Sequence, residues 1–428
     1  MDDKRKENKD ELSRSRRINI KVEKERQINE YYLKVSKRYR TVKFLSLGLL
    51  VVYLLGMLVL HRSQITYENL VYLMKDLDTD TDVSGAAFAE IKYDESAKLS
   101  TALYKQYLAA ATTGSLSLFN TAGNAEREFK ISMENPKVLS GDKYVMVYDI
   151  GGNSYSLYTS LVGVLSKQTE HPIQGAALSE SGSFALICRS RENRYVINIY
   201  DDNFREVSKI YKDKYVMDAA LSRDGSYYAV ASCDVSGSEV ICEVMSGKCD
   251  SENAATAYID GGIPLSAEFF DNGSFCVVCD NSVGFFSKDG AKTNEISLSG
   301  HGLGGVSFCG NRVMIVESDD IVESSNTATV YDTKGEVLAQ YHTDSKITSS
   351  ALGEHRMFFA EEGTLTAVTY DGVEERAPCA VSVSSLVPFG DNVLVCSPSR
   401  TVTGFTNGGA GEPSEESETE PVSFEPIG

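Results

Sequence analysis

The chain has 428 residues, with 61 Asp and Glu against 42 Lys and Arg and a net charge of −19. A chain this acidic offers no basic surface to neutralise phosphates, which excludes a nucleic-acid binder. Its 42% hydrophobic content is enough for a large folded domain.

Residues 1–43 depart from the rest, with 15 Lys and Arg against 8 Asp and Glu. The stretch from Leu12 to Arg40 mixes Ile18, Ile20, Val22, Ile28, Tyr31, Tyr32 and Val35 with the basic residues. It reads as a solvated topology signal, with a helix lying on anionic lipid or pairing with a partner as the alternative. Some forty residues cannot bury the core of a kinase or cyclase, so any inward signalling needs a recruited protein.

Phe44 to Leu60 is a run of seventeen apolar or small residues. As a helix it spans about 25 Å, near the short limit for a bilayer core, with Arg40, Lys43 and Arg62 reaching the headgroups. The long leader and the absence of small residues before Leu60-His61-Arg62 argue against a cleaved signal peptide. An uncleaved anchor at 44–60 is expected, in a single-pass protein of the cell membrane. The basic flank places the amino terminus in the cytoplasm and the large acidic remainder outside.

Residues 61–85 read as a stalk helix and acidic linker, with Leu70, Leu73, Met74 and Leu77 at helical spacing. Asp80, Asp82, Ser84 and Gly85 match the first half of a calcium loop. The twelfth position is Ile91, where a bidentate Glu is required, so a linker is the expectation.

From 86 to 406 the pattern is that of strands with frequent turns, and it repeats. Ala177-Leu-Ser-Glu-Ser-Gly-Ser-Phe-Ala-Leu-Ile187, Ala220-Leu-Ser-Arg-Asp-Gly-Ser-Tyr-Tyr-Ala-Val230 and Glu268-Phe-Phe-Asp-Asn-Gly-Ser-Phe-Cys-Val-Val278 align in register. Weaker copies begin at Val138, Val306, Ala351 and Leu386. A second unit ends in a turn, as in Phe285-Phe-Ser-Lys-Asp-Gly290 and Val330-Tyr-Asp-Thr-Lys-Gly335. The first turns, at Gly141, Gly182, Gly225, Gly273, Gly310, Gly353 and Gly390, are 37 to 48 residues apart. Four strands per period is the composition of a propeller blade. With a degenerate first copy at Leu99–Ala111, the count predicts an all-β, eight-bladed propeller, seven being the alternative. The last copy runs out after three strands near Phe405, and Ala87–Tyr93 is expected to supply its missing outermost strand.

This organisation resembles bacterial membrane-anchored propellers of the WD-repeat-like and YVTN-like kind. The stalk Ile65-Thr-Tyr-Glu-Asn-Leu-Val-Tyr-Leu-Met-Lys-Asp-Leu-Asp78 behind one anchor is similar to a domain-of-unknown-function family of Gram-positive envelopes. The resemblance implies location and fold, and brings no catalytic residues.

Candidate chemistry is sparse. Gly300-His-Gly-Leu-Gly-Gly305 matches a dinucleotide fingerprint in letters but leads into a strand, Val306 to Phe308, where that motif opens a helix; it is read as a loop between blades. His61, His171, His301, His342 and His355 show no metal spacing, and there is no Gly-x-Ser-x-Gly elbow. Quinone-dependent eight-bladed enzymes fasten their blades with tryptophan, and this chain has none. No catalytic, cofactor or metal residue is therefore assigned.

Nine cysteines fall within the propeller, most of them expected as small buried hydrophobes. Cys276 and Cys279, three apart in one strand, point to opposite faces. A hairpin turning at Gly237-Ser238 makes Cys233 and Cys242 face each other, a possible disulfide. Residues 407–428 form an acidic tail without a core, expected to be disordered.

The expected function is a non-catalytic binding or scaffolding module of the cell envelope, engaging an envelope protein or wall polymer through a propeller face. The alternative is an extracytoplasmic enzyme acting on glycans, with carboxylates from Asp201-Asp202, Asp271 and Asp319-Asp320 converging at the channel mouth. Raised carboxylate pKa values there would favour the enzyme, and an exposed apolar or aromatic patch on one face the binder.

Overall fold

Short strands that alternate in polarity, with a turn every few residues, bury both faces when small antiparallel sheets pack against one another in a ring. The computed structural model describes residues 3–60, 88–93, 98–236, 239–251, 253–298, 302–318 and 325–405. It contains eight sheets of four strands. Blades one to seven span 100–130, 136–168, 173–212, 215–259, 264–297, 302–343 and 349–378. Within each blade, strands a to d pair antiparallel in chain order. The a strands of neighbouring blades meet around the centre, as in blades three and four. The d strands, such as Ala125–Lys130, lie largely exposed at the rim.

Blade eight takes three strands from the end of the chain, Ser385–Phe389, Asn392–Cys396 and Arg400–Thr403. Its outermost strand is Ile91–Lys92, with Ile91 opposite Thr401 and Lys92 opposite Arg400. The ring therefore has eight blades, not seven, and closes as the sequence implies. The closing strand is only two residues long, so side chains reinforce it. Thr403 Oγ1 donates to the Phe88 carbonyl and accepts from the Phe88 amide, both at 2.9 Å. Arg400 pairs with Glu90 at 3.1 Å.

The hydrophobic core is divided among the eight seams between blades. Between blades four and five, Ala229, Cys242 and Val244 meet Phe269, Phe275 and Phe286. At the closing seam, Phe88, Ile91, Phe389 and Leu394 of blade eight meet Leu108 of blade one. Phe275 and Phe286 stack at 4.9 Å between centroids. Burying one such ring contributes about 1.5–3 kcal/mol, so these phenylalanines do the work that tryptophan does in other propellers. Tight turns let the seams close: Gly182 sits at φ +97°, and a Cβ there would meet the Tyr144 ring of the preceding blade at 2.6 Å.

One expectation is corrected. Gly302–Gly305 is not a loop but the start of the a strand of blade six, Gly302–Cys309. Gly305 suits a close approach, since a Cβ there would lie 2.8 Å from Ser350 Oγ of blade seven.

The amino-terminal unit is one helix, Asp3–Leu60, running through both the basic segment and the apolar run. Among the described residues no helix is long and apolar enough to cross a membrane. Side chains from Leu54 to Leu60, the end of the run expected to cross, are outside the described residues. So are the stalk at 61–85 with most of its calcium-like loop, and the tail at 407–428.

Candidate functional site

The strand order gives the ring two different ends. At the glycine end lie the a–b and c–d turns; at the hairpin end lie the b–c turns and the links from each d strand to the next a strand.

At the glycine end the a–b turns are tied to each other around the ring. Tyr104 donates to the Lys143 carbonyl at 3.0 Å, linking blades one and two. The Lys143 amide donates to the Glu180 carbonyl at 3.3 Å and the Ser181 amide to the Arg223 carbonyl at 3.1 Å. Arg223 pairs with Asp271 at 2.9 Å and reaches back to Asp142 at 3.4 Å. The Asp271 amide then donates to the Gly310 carbonyl at 3.3 Å. Arg312 donates to the Glu354 carbonyl of blade seven at 2.9 Å. These turns enclose a cavity of about 530 Å³ at blades two to five, lined among others by Asp142, Glu180, Arg223, Asp271 and Lys288.

Further in, the a strands of blades four and five carry two carboxylates. Asp218 accepts from the amides of Ala219 and Ala267, both at 2.9 Å, so it staples the two a strands together. Burial pushes its carboxyl up to about 6, against the pull of those amides. Glu268 lies on the a strand of blade five, solvent-exposed although closely surrounded by protein. Burial, together with the charges of Asp218 and Glu180, pushes it up to about 8. Glu180 is also raised, first by burial and then by Asp142.

Among the described residues, the carboxylates singled out in the sequence, Asp201, Asp202 and Asp271, do not converge. Asp201 caps a c–d turn, accepting from the Asn203 and Arg205 amides at 2.9 and 2.8 Å. Asp202 pairs with Lys143 at 3.6 Å. Only Asp271 lines the mouth, and there it is neutralised by Arg223. Asp319 and Asp320 are outside the described residues. Sequence reading missed Asp218 and Glu268, whose only signal is a carboxylate in a predicted innermost strand.

The hairpin end is built differently. In blade four, strand a begins at Tyr215 opposite Cys233, and strand d ends at Ile259 opposite Cys242. Strands b and c continue through Asp234–Ile241, Val235–Val240 and Ser236–Glu239, so a two-stranded arm extends beyond the rest of its sheet. Its base is held by Glu243, which pairs with Lys212 at 2.7 Å and with Lys214. Burial raises the Glu243 carboxyl, but the two lysines outweigh it and the net shift is downward. At this end of blades four and five, Tyr215, Met217, Val235, Tyr258, Ile263 and Leu265 are all 40–65% exposed. The Arg194 guanidinium lies over the Tyr215 ring at 4.5 Å.

The cysteines fall largely as expected, seven of nine being buried and all nine free thiols. Cys276 lies in the seam to blade six and Cys279 in the seam to blade four, on opposite faces of their strand. Cys233 and Cys242 are direct cross-strand partners. Among the described residues, no group of three or more His, Cys, Asp or Glu is placed to hold a metal ion.

Residues 84–401 match a family described as one of unknown function, DUF5711. The chain belongs to that family. No curated protein matches it. Among solved structures, the DUF5711 propeller is similar to BamB from Moraxella catarrhalis, at 12% identity and TM-score 0.50, covering 74% of this chain and 99% of that one. It is also similar to the C-terminal WD40 domain of Sif2, at 10% identity and TM-score 0.54, covering 74% and 97%. At these identities the likeness is one of fold.

Proposed function

We propose that this DUF5711 chain is a membrane-anchored, extracytoplasmic scaffold of the cell envelope, whose hairpin end binds another envelope protein. The observation that carries this reading is the exposure of aromatic and aliphatic side chains at the hairpin end of blades four and five, where the arm projects. Aromatic side chains beside an arginine, on a surface braced by buried ion pairs, are the usual composition of a protein-binding hot spot. The glycine end is occupied by its own loop-to-loop bonds and receives the chain at Phe88, whose neighbour Ala89 bonds to Thr121 of a c–d turn. The basic leader and the apolar run at 44–60 support the anchor, and the acidic propeller suits an exterior setting.

The test is crosslinking in living cells with tagged full-length protein, beside a version lacking the leader and a Tyr215→Ala, Val235→Asp variant. A specific envelope protein captured by wild type and by the leader-deleted form, and lost in the arm variant, supports the reading. Partners lost on leader deletion would shift the case to signalling across the membrane. Capture of wall polymer alone would overturn protein binding.

A second reading, an extracytoplasmic enzyme acting on glycans, is favoured by Glu268, a carboxyl held protonated near neutral pH beside a second carboxylate. Asp218 argues against it, because both its oxygens are engaged by backbone amides. Hydrolysis of wall glycan by the purified protein, abolished in Glu268→Gln, would establish the enzyme.

A further inference from the structure

Three cysteines lie in a row across the seam between blades four and five. Cys233 stands at the base of the projecting arm and is partly exposed. Cys242, its direct cross-strand partner, is fully buried. Behind Cys242 is Cys279 of blade five, also fully buried and in the same packed cluster. Directly opposed residues of an antiparallel pair have Cα atoms about 4.5 or 5.5 Å apart, and disulfides form at about 4.4–6.8 Å. The arm is therefore compatible with a bond between Cys233 and Cys242. Cys279 packs against Cys242 from the facing blade, on the side away from the arm.

We propose that Cys233, Cys242 and Cys279 form one thiol-exchange site, which accepts a disulfide from a small disulfide such as oxidised glutathione and passes it inward from the arm to the seam. In the first step the Cys233 thiolate attacks one glutathione sulfur, forming a mixed disulfide and releasing one glutathione thiolate. Next Cys242 attacks Cys233 Sγ, its thiol proton passing to the leaving glutathione sulfur; this forms Cys233–Cys242 and releases the second glutathione as a thiol. Two thiols have then lost two electrons, and the disulfide reagent has gained them. In the third step Cys279 attacks Cys242 Sγ, forming Cys242–Cys279 and returning Cys233 as a thiol, with no net redox change. The order follows from access: Cys233 alone of the three meets solvent, and buried thiols react only when a neighbour brings the disulfide to them. The final bond fastens blade four to blade five across a seam otherwise held by packing. The site is independent of the binding reading, because it is read out on the isolated protein.

The experiment treats purified full-length protein with oxidised glutathione, blocks remaining thiols by alkylation, and maps peptides by mass spectrometry without reduction. Wild type is expected to yield the Cys242–Cys279 cross-linked peptide, with Cys233–Cys242 at early times. Cys279→Ser should stop at Cys233–Cys242, and Cys242→Ser at a glutathione adduct on Cys233. Cys233→Ser should slow the buried cross-link at least tenfold. An undiminished rate in Cys233→Ser, or no cross-linked peptide in wild type, would overturn the proposal. Capture of the envelope partner by the fully reduced protein tests the binding reading separately.

Discussion

The two ends of the propeller spend their polar groups in opposite ways. At the glycine end, amides, carbonyls and Arg223 are turned on neighbouring turns, so the loops stitch blade to blade from the first to the seventh. At the hairpin end, the polar groups that matter lie beneath the surface, where Glu243, Lys212 and Lys214 brace the arm of blade four, and apolar side chains are left outside. An end whose polar groups are satisfied internally adds rigidity to the ring. An end that braces an apolar surface and leaves it open is the one to which the proposed reading assigns the partner.

The largest effect is expected from removing the packing that both ends rely on. Phe275, fully buried against Phe269 and Phe286, holds the seam from which the arm rises. Phe275→Ala is expected to cost about 3–5 kcal/mol in denaturant unfolding. A loss below about 1 kcal/mol would mean that the seams are not where the stability lies.

The next largest effect concerns the a strands at the centre. Asp218→Ala leaves the amides of Ala219 and Ala267 without their acceptor and should cost about 1–3 kcal/mol. Asp218→Asn keeps one acceptor oxygen and should lose less than half as much. Equal losses in the two variants would remove the staple role.

How far these features could be read from the sequence depends on how local they are. A turn glycine followed by four apolar residues is written within ten positions, so the blades and their number were legible, down to the borrowed strand at Ile91. The facing of Cys233 and Cys242 was legible too, because one hairpin fixes it. Glu268 and Asp218 were not, because they are fifty residues apart and meet only when two a strands pack side by side at the centre. Gly302–Gly305 misled for a related reason: a glycine run spells a loop locally, and only Ser350 in the next blade explains it as a strand.

The binding surface supplies a prediction of intermediate size. Tyr215→Ala or Val235→Asp should weaken partner capture at least tenfold, about 1.4 kcal/mol, and move unfolding stability by no more than about 0.5 kcal/mol. Loss of stability without loss of capture would reverse the roles assigned to the two ends.

Glu268 gives a pH dependence. In an unfolded chain a glutamate loses its proton near pH 4, at about 4.3. In the ring this one keeps it up to about 8, so the folded state binds the extra proton between those values. The stabilisation is full below about pH 4 and is lost as pH rises towards 8. Asp218 acts in the same direction up to about 6. Glu268→Gln should therefore resist thermal unfolding better than wild type above pH 8 and match it near pH 5. Parallel pH profiles for the two proteins would show that the charge at 268 is solvated at no cost.

The smallest expected effect belongs to Arg223, although it makes more contacts between turns than any neighbour at the mouth. Its side chain is 53% exposed, and its partners Asp142 and Asp271 are 70% and 43% exposed. Ion pairs in such surroundings are worth about 0.2–1 kcal/mol and weaken with salt. Arg223→Ala should stay within that range, and the difference from wild type should vanish in about 0.5 M salt, because the Ser181 amide still reaches the residue 223 carbonyl. If the loss exceeded about 2 kcal/mol and persisted in salt, the glycine end would be a keystone held by one side chain. The backbone bonds between turns, which no substitution at 223 removes, predict the opposite: a mouth whose order is spread over many weak ties.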